Sequence, residues 1–307
     1  MSTVCIFLYY FFHRSALINS RKSVFFANKM KFRALMQDPL YMKEFQAIVA
    51  TLTKLAKDCV MILGSRQMHF IVNEDQSSSA SPLVWAGIAA KEYFPEYRME
   101  SAHPDQEYIV LDMSSANLGR ALSVLRGGGV NSCKLKLQRI QFPCISVIAS
   151  VLTSSSTEAR EVVHDVPVTI IPGSDWSAYV LPSVPNSQLA LGLPSLRLLK
   201  SLIDKLKNIS PSLEFQANLD GELNVIATSE MSTVTSRFQK LLIRTVAGYE
   251  REASCSVDSR KASAFFGALQ LPHEELTIGI DREHSIHLQI DVRQDVVLHS
   301  VLPAVCI

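Results

Sequence analysis

At 307 residues and a formal net charge of +1, the chain is not a polycation. That excludes a nucleic-acid binder working by bulk charge, but not one that segregates its charge. A hydrophobic content of 48% supplies cores for two domains, each of roughly 130–160 residues. Six cysteines (Cys5, Cys59, Cys133, Cys144, Cys255, Cys306) form no CxxC pair and no Cys/His spacing suited to zinc. No metal or cofactor is expected, and the thiols read as free and buried in a reducing compartment.

Residues 1–29 differ from the rest. Positions 4–12 are nine apolar residues, followed by His13-Arg14. This is about half of the ~20 needed to span a bilayer. No lysine or arginine precedes the run, so it makes a poor signal peptide. It reads as an extension outside the fold; a secreted β-rich binding protein using it as a signal core is the alternative. Met30 then opens directly into an alternating strand.

The spacing predicts a helix over 41–58, with Met42, Phe45, Ile48, Val49, Leu52, Leu55 and Ala56 on one face. Lys43, Lys54 and Lys57 lie on the other. A hairpin follows, 59–63 and 67–72, joined through Gly64-Ser65, then a polar loop over 73–82. Short strands are expected at 83–86 and 108–111. Ser114-Ser115 cap a helix over 116–126, with Leu118, Ala121, Leu122 and Leu125 inward and Arg120 and Arg126 polar. Gly127, Gly128 and Gly129 stop it. They follow a helix rather than precede one, so they lack the amide cradle of a phosphate loop. Strands at 134–137, 145–151 and 162–171 complete the sheet.

Residues 173–188 have no period, contain Pro182 and Pro185, and read as a connector. Its Trp176, Tyr179, Val180 and Leu181 either pack back on the domain or form a partner-docking surface. Pro194 and Ser195 then open a helix whose apolar face is Leu196, Leu199, Leu202, Ile203 and Leu206. Arg197, Lys200, Asp204 and Lys207 occupy the polar face, with Lys205 beside it. Leu213, Phe215 and Ala217 alternate into Asp220-Gly221, and Leu223, Val225 and Ala227 return. Asp-Gly predicts a two-residue primed turn with positive φ at both positions. Residues 238–252 read as irregular. A strand at 253–257, a helix at 259–271 with Arg260-Lys261 at its start, and strands at 276–280, 286–290 and 296–302 close the chain. The helix–hairpin plan occurs twice, Cys59 and Leu213 starting corresponding strands 154 positions apart. The expected fold class is α+β, two diverged copies of one domain. The boundaries are 1–29 for the extension, 30–172 for the first domain, 173–188 for the connector and 189–307 for the second.

No nucleotide-binding, hydrolase or metalloprotease motif is present, and His284 and His287 at i, i+3 in a strand would point to opposite faces. The chain reads as no enzyme. Its informative signal is charge placement. Helices taken as 39–58, 114–126, 194–208 and 258–271 carry +1, +2, +3 and +1, or +7 together, so the rest of the chain carries −6. Such faces suit phosphates without base readout; ordinary solvated helix faces explain the charge equally well.

Several runs resemble a known family: MKFRA (30–34), KLAKDC (54–59), FPCISV (142–147), HDVPVTIIP (164–172), KNIS (207–210), EFQANLDGEL (214–223) and VLPAV (301–305). Together with the two α+β repeats and the long connector, they resemble sliding DNA clamps such as PCNA. The likeness is nearer to the Hus-type subunit of the nine-one-one checkpoint clamp. It spans residue 30 to the end. The resemblance implies a clamp fold with antiparallel sheets and two helices per domain on the inner face. It implies a non-enzymatic subunit that joins two paralogous subunits in a heterotrimer. A clamp loader would place that ring around double-stranded DNA without sequence specificity, and the ring would recruit checkpoint and repair proteins. It implies residence in the nucleus, with the cytoplasm left open, and no membrane. Lys43, Lys54, Lys57, Arg120, Arg197, Lys200, Lys207, Arg260 and Lys261 are then the candidate DNA-facing residues. The connector becomes the candidate docking strap. A homotrimeric processivity clamp is the alternative within the same fold.

Overall fold

The computed structural model describes residues 30–73, 83–101, 107–127, 129–152, 159–179, 181–185, 187–193, 195–246, 251–269, 271–273, 275–282 and 284–305. The expectations for 1–29, for most of the loop 73–82 and for Val180 lie outside these residues. The described residues fall into two units, one within Met1–Val72 and Ala86–Leu181, the other within Asn73–Trp85 and Pro182–Ile307.

Unit 1 begins with β1 (Lys31–Met36), α1 (Pro39–Leu55), β2 (Asp58–Gly64) and β3 (Gln67–Asn73). Then come β4 (Leu83–Ala89, whose first three residues count with unit 2), the single turn α2 (Ala90–Tyr93), β5 (Glu96–Glu100) and β6 (Tyr108–Ser114). The unit ends with α3 (Ser115–Ala121) and its 3-10 continuation Leu122–Arg126, β7 (Val130–Arg139), β8 (Pro143–Leu152) and β9 (Ala159–Ile170). Antiparallel pairing runs in the order β5-β1-β7-β8-β9, and the last residues of β9 turn onto β6, which continues through β2 and β3. Phe32, Ala34 and Met36 of β1 and Phe45, Ile48, Val49 and Leu52 of α1 belong to the core, all at most 2% exposed.

Unit 2 repeats the plan with β10 (Leu189–Gly192), α4 (Leu196–Leu206), β11 (Ser212–Asn218), β12 (Leu223–Thr228), β13 (Thr233–Phe238) and β14 (Leu242–Val246). It closes with β15 (Glu252–Asp258), α5 (Ser259–Ala268), β16 (Glu275–Asp281), β17 (Ser285–Arg293) and β18 (Val296–Pro303). Its strands run β14-β10-β16-β17-β18 and β13-β12-β11-β15, the same order element for element as in unit 1. β2 and β11 start at Asp58 and Ser212, again 154 positions apart.

Three expectations are corrected. Residues 238–252 are not irregular: all of β14 and the first residue of β15 lie there, and β13 and β5 are likewise unmarked by any sequence signal. β5, β13 and β14 are short strands whose residues are exposed or only half-buried, so no apolar stripe marks them. The Asp220-Gly221 turn is not a two-residue primed turn. Only Gly221 has positive φ (73°). The Asn218 Oδ1 instead accepts from the amides of Asp220 and Glu222, at 3.0 and 3.1 Å, and wraps the loop around one side chain. Gly221 is required twice, since a Cβ there would also stand 2.4 Å from the Leu241 carbonyl oxygen. His284 lies in a turn rather than in β17, and His287 instead meets His299 of β18 across 3.1 Å, under the ring of Trp85. The four described cysteines, Cys59, Cys133, Cys144 and Cys255, are free and buried.

Candidate nucleic-acid interface

Each unit presents one helix pair: α1 with α3, and α4 with α5. Helix starts are set by local chemistry. Asp38 Oδ1 accepts from the Leu40 amide at 2.7 Å, with Pro39 in the first turn. Asp258 Oδ1 accepts from the amides of Arg260 and Lys261 at 2.9 and 2.8 Å. Ser195 at the start of α4 makes no such bond. The buried faces are Leu196, Leu199, Ile203 and Leu206 on α4 and Ala262, Phe265 and Phe266 on α5. Redrawn at their observed ends, the helices still total +7: α1 +1, α3 with its 3-10 turn +2, α4 +2 and α5 +2.

The candidate cations fall into three groups. Lys43 and Lys54 on α1, Arg120 on α3, Arg197 on α4 and Arg260 on α5 project from exposed positions. Arg197, Arg260 and Lys261 stand in first turns, where the helix dipole disfavours a cation by about 0.3–1 kcal/mol each. An anion held at that surface would turn the penalty into attraction.

Lys200 and Lys207 are committed to the protein as well. The Lys200 ammonium donates to the carbonyls of Gly267 and Leu269, at 2.9 and 3.4 Å, and so caps the end of α5. Lys207 donates to the Asp204 carboxylate and, at 3.2 Å, to Ser263 Oγ, tying α4 to α5. The Lys207 contact holds the Asp204 carboxyl below its ordinary value. Sequence spacing placed both lysines on the polar face of α4 but gave no sign of these ties, which depend on how α5 ends.

Lys57 is corrected: it is on no helix face. Ala56 turns extended (φ −151°, ψ 154°), α1 ends at Leu55, and Lys57 lies in the link to β2. Its carbonyl accepts from the Ser115 amide at 2.9 Å and from Ser115 Oγ at 3.0 Å, joining α1 to α3 through backbone. Two exposed cations escaped the candidate set, Lys205 in the last turn of α4 and Arg126 at the end of the 3-10 turn.

In the connector, residues 173–179 form a 3-10 turn, and Trp176 packs back on unit 1. Its Nε1 donates to the Ile171 carbonyl at 3.1 Å and its ring meets Tyr108 edge-on at 6.3 Å. Tyr179 is half-buried, and burial, then Asp112 and Asp175, raise its hydroxyl above the ordinary value. Leu181 is partly exposed. Among the described residues no cluster of three His, Cys, Asp or Glu side chains is placed to hold a metal, and no helix is long and apolar enough to cross a membrane.

Comparison with known proteins agrees with this architecture. A checkpoint protein Hus1-like of Drosophila melanogaster is 94% identical over 277 residues, covering 90% of this chain and 100% of that protein. Human checkpoint protein HUS1 is 31% identical over 283 residues, covering 90% and 99%. Among solved structures, proliferating cellular nuclear antigen from Entamoeba histolytica superposes with a TM-score of 0.66 at 12% identity, covering 90% of this chain and 99% of that one. PCNA from Thermococcus kodakaraensis gives 0.64 at 16%, covering 89% and 99%. The fold is therefore that of the PCNA clamps. The family described as Hus1-like protein matches residues 30–306, and the chain belongs to it.

Proposed function

We propose that the chain is a non-enzymatic subunit of a checkpoint clamp that encircles double-stranded DNA in the nucleus. The observation that carries this is the concentration of +7 on the helices of a chain whose net charge is +1. Lys43, Lys54, Arg120, Arg197, Arg260 and Lys261 meet phosphates without reading bases, while Lys200 and Lys207 shape the α4–α5 surface and add their field to it. Lys57 adds charge from the link rather than from a helix. Because escape from a closed ring is blocked topologically, the contacts need not be strong, and weak contacts permit sliding.

Ring closure draws on open strand edges. Among the described residues, β13 is hydrogen-bonded on one side only, to β12, and residues 159–167 of β9 only to β8. Val163 on that part of β9 is 52% exposed. Such edges are an aggregation hazard in a lone chain, and pairing with neighbouring clamp subunits removes it. Two paralogous subunits complete the heterotrimer, a clamp loader opens it, and checkpoint and repair proteins dock on it, with Tyr179 and Leu181 in the strap.

The test is light scattering of the purified chain, alone and mixed with two paralogous clamp subunits. The expected result is a 34.1 kDa monomer alone, and with both partners an assembly of roughly 100 kDa, three chains in a closed ring. A homotrimer of the chain alone would move the function to a processivity clamp; a monomer under every condition would overturn the ring.

A further inference from the structure

We infer that the solvent face of the unit 1 sheet, opposite its helices, is a docking surface for a short acidic peptide segment of a partner protein. The backbone register places Arg98 of β5 directly opposite Arg33 of β1, and Arg33 directly opposite Lys136 of β7. All three are exposed. Two strand steps of about 4.8 Å put three cations within roughly 10 Å. Like charges directly opposed across strands work against the sheet. The neighbouring acids relieve this only in part. Glu96 pairs with Arg33 at 3.1 Å, and among the described residues Arg98 and Lys136 have no acidic partner.

The fold itself does not require this row. Counting back five residues from the helix caps Asp38 and Ser195 makes Ala190 the counterpart of Arg33. The register of unit 2 then sets Thr245 and Gly279 against Ala190, where unit 1 has Arg98 and Lys136. One copy of the domain holds three cations where the other holds threonine, alanine and glycine. In unit 2 that face is covered: Ala190 is buried, and a Cβ on Gly279 would stand 2.1 Å from Ser187 Oγ, so only small residues fit there. In unit 1 the same positions are exposed and carry the three cations.

The shape of the charge selects the occupant. Glu96 and Glu100 border the row on β5, and Glu161 and Asp165 border it on β9. A nucleic-acid backbone, with a charge at every step, would run onto these acids; a segment with a few clustered carboxylates would not. Beside the row, a shallow cavity is lined by Leu35 and Ile148 together with the polar Arg33, Gln37, Ser132, Lys134, Ser150 and Glu161, so it offers a small apolar contact next to the cations.

The test is fluorescence anisotropy of a labelled 12-residue Asp/Glu peptide ending in leucine, titrated with the full chain at physiological ionic strength. The expected result is saturable binding, weakened at least tenfold by R98Q/K136Q, restored by R98K/K136R and unaffected by K43Q/K54Q on α1. The melting temperature of R98Q/K136Q should be equal to or above that of the parent chain. Absence of binding by the parent chain, undiminished binding by R98Q/K136Q, or equal weakening by K43Q/K54Q would overturn the proposal. So would a labelled DNA duplex that depends on Arg98 and Lys136 more strongly than the peptide does.

Discussion

In unit 1 the contact between α1 and α3 is made by small groups. Thr53 Oγ1 donates to the Val49 carbonyl at 2.8 Å and lies 3.2 Å from the Ser115 carbonyl oxygen, and a Cβ on Gly119 would stand 2.6 Å from that same oxygen of Thr53. In unit 2 the corresponding helices are joined by long cationic side chains, Lys200 and Lys207, and Gly267 has open space around it. The two pairs present positive charge in similar amounts. In unit 1 Lys43, Lys54 and Arg120 are exposed and the packing is close, and Arg126 alone among the described cations of the pair is seen to reach across, to the Gln46 side chain at 3.0 Å; in unit 2 two of the cations are part of the packing. Charge for a ligand and charge for the fold are thus largely separable in one repeat and merged in the other.

The largest test of that difference is a pair of glycine substitutions. Gly119→Val should cost about 2–4 kcal/mol through overpacking against Thr53. Gly267→Ala, in the open counterpart helix, should be neutral or stabilising by up to about 1 kcal/mol. Urea unfolding of both variants decides it; equal costs would mean the two pairs pack alike.

Acid should next load unit 2 more heavily, with its two lowered histidines against His69 of unit 1, which burial also lowers. Burial, then the neighbouring His299, lowers His287 from 6.5 to about 4, and burial lowers His299 as well. The unfolded chain takes up these protons first, so the stabilisation is complete above about pH 6.5 and is lost as pH falls toward 4. The loss for His287 is on the order of 2–3 kcal/mol. Asp291, facing His299, opposes part of this by raising it. Asp112 and Asp281, whose carboxyls burial holds above the ordinary range, act with the opposite sign. Stability measured at pH 7 and pH 4.5 should differ less in His287→Gln than in the parent chain; an unchanged difference would show that the stacked pair does not titrate as described.

Smaller effects follow from the lysines. Lys200→Met should cost about 1–2 kcal/mol by uncapping α5, while Lys54→Met should stay within about 0.5 kcal/mol. In DNA retention by the assembled ring, K43E/K54E and K200E/K207E should both weaken binding. Each phosphate contact removed should lower the slope of log affinity against log salt by about 1. Only K200E/K207E should also lower the melting temperature, and a matching fall in K43E/K54E would erase the distinction.

The repeat and its helices were legible in the sequence because their signals are local. Leu196, Leu199, Ile203 and Leu206 recur at helical spacing, Phe215 and Val225 alternate in a hairpin, and a constant offset links the copies. β5, β13 and β14 were not legible. Glu96–Glu100, Thr233–Phe238 and Leu242–Val246 are edge strands, each held by one neighbour among the described residues, and none of their residues is fully buried, so no apolar stripe marks them. The basic helix faces could be read, but not which cations were spare. Whether Lys200 meets solvent or the carbonyl of Gly267 depends on contacts 67 residues away. The end of α1 was read three residues too late, because Ala56 continues the apolar period while its backbone has already left the helix.

The buried cysteines have a chemical consequence. Burial pushes the thiols of Cys59, Cys133 and Cys255 up to about 12. Only the thiolate attacks an alkylating reagent, so at pH 7 roughly one molecule in 10⁵ carries a reactive sulfur at any of these sites. Labelling at them therefore records moments when the surrounding structure has opened. Cys59 and Cys133 report on one unit and Cys255 on the other. The native chain already carries a timer for each half, readable by mass spectrometry without adding a probe.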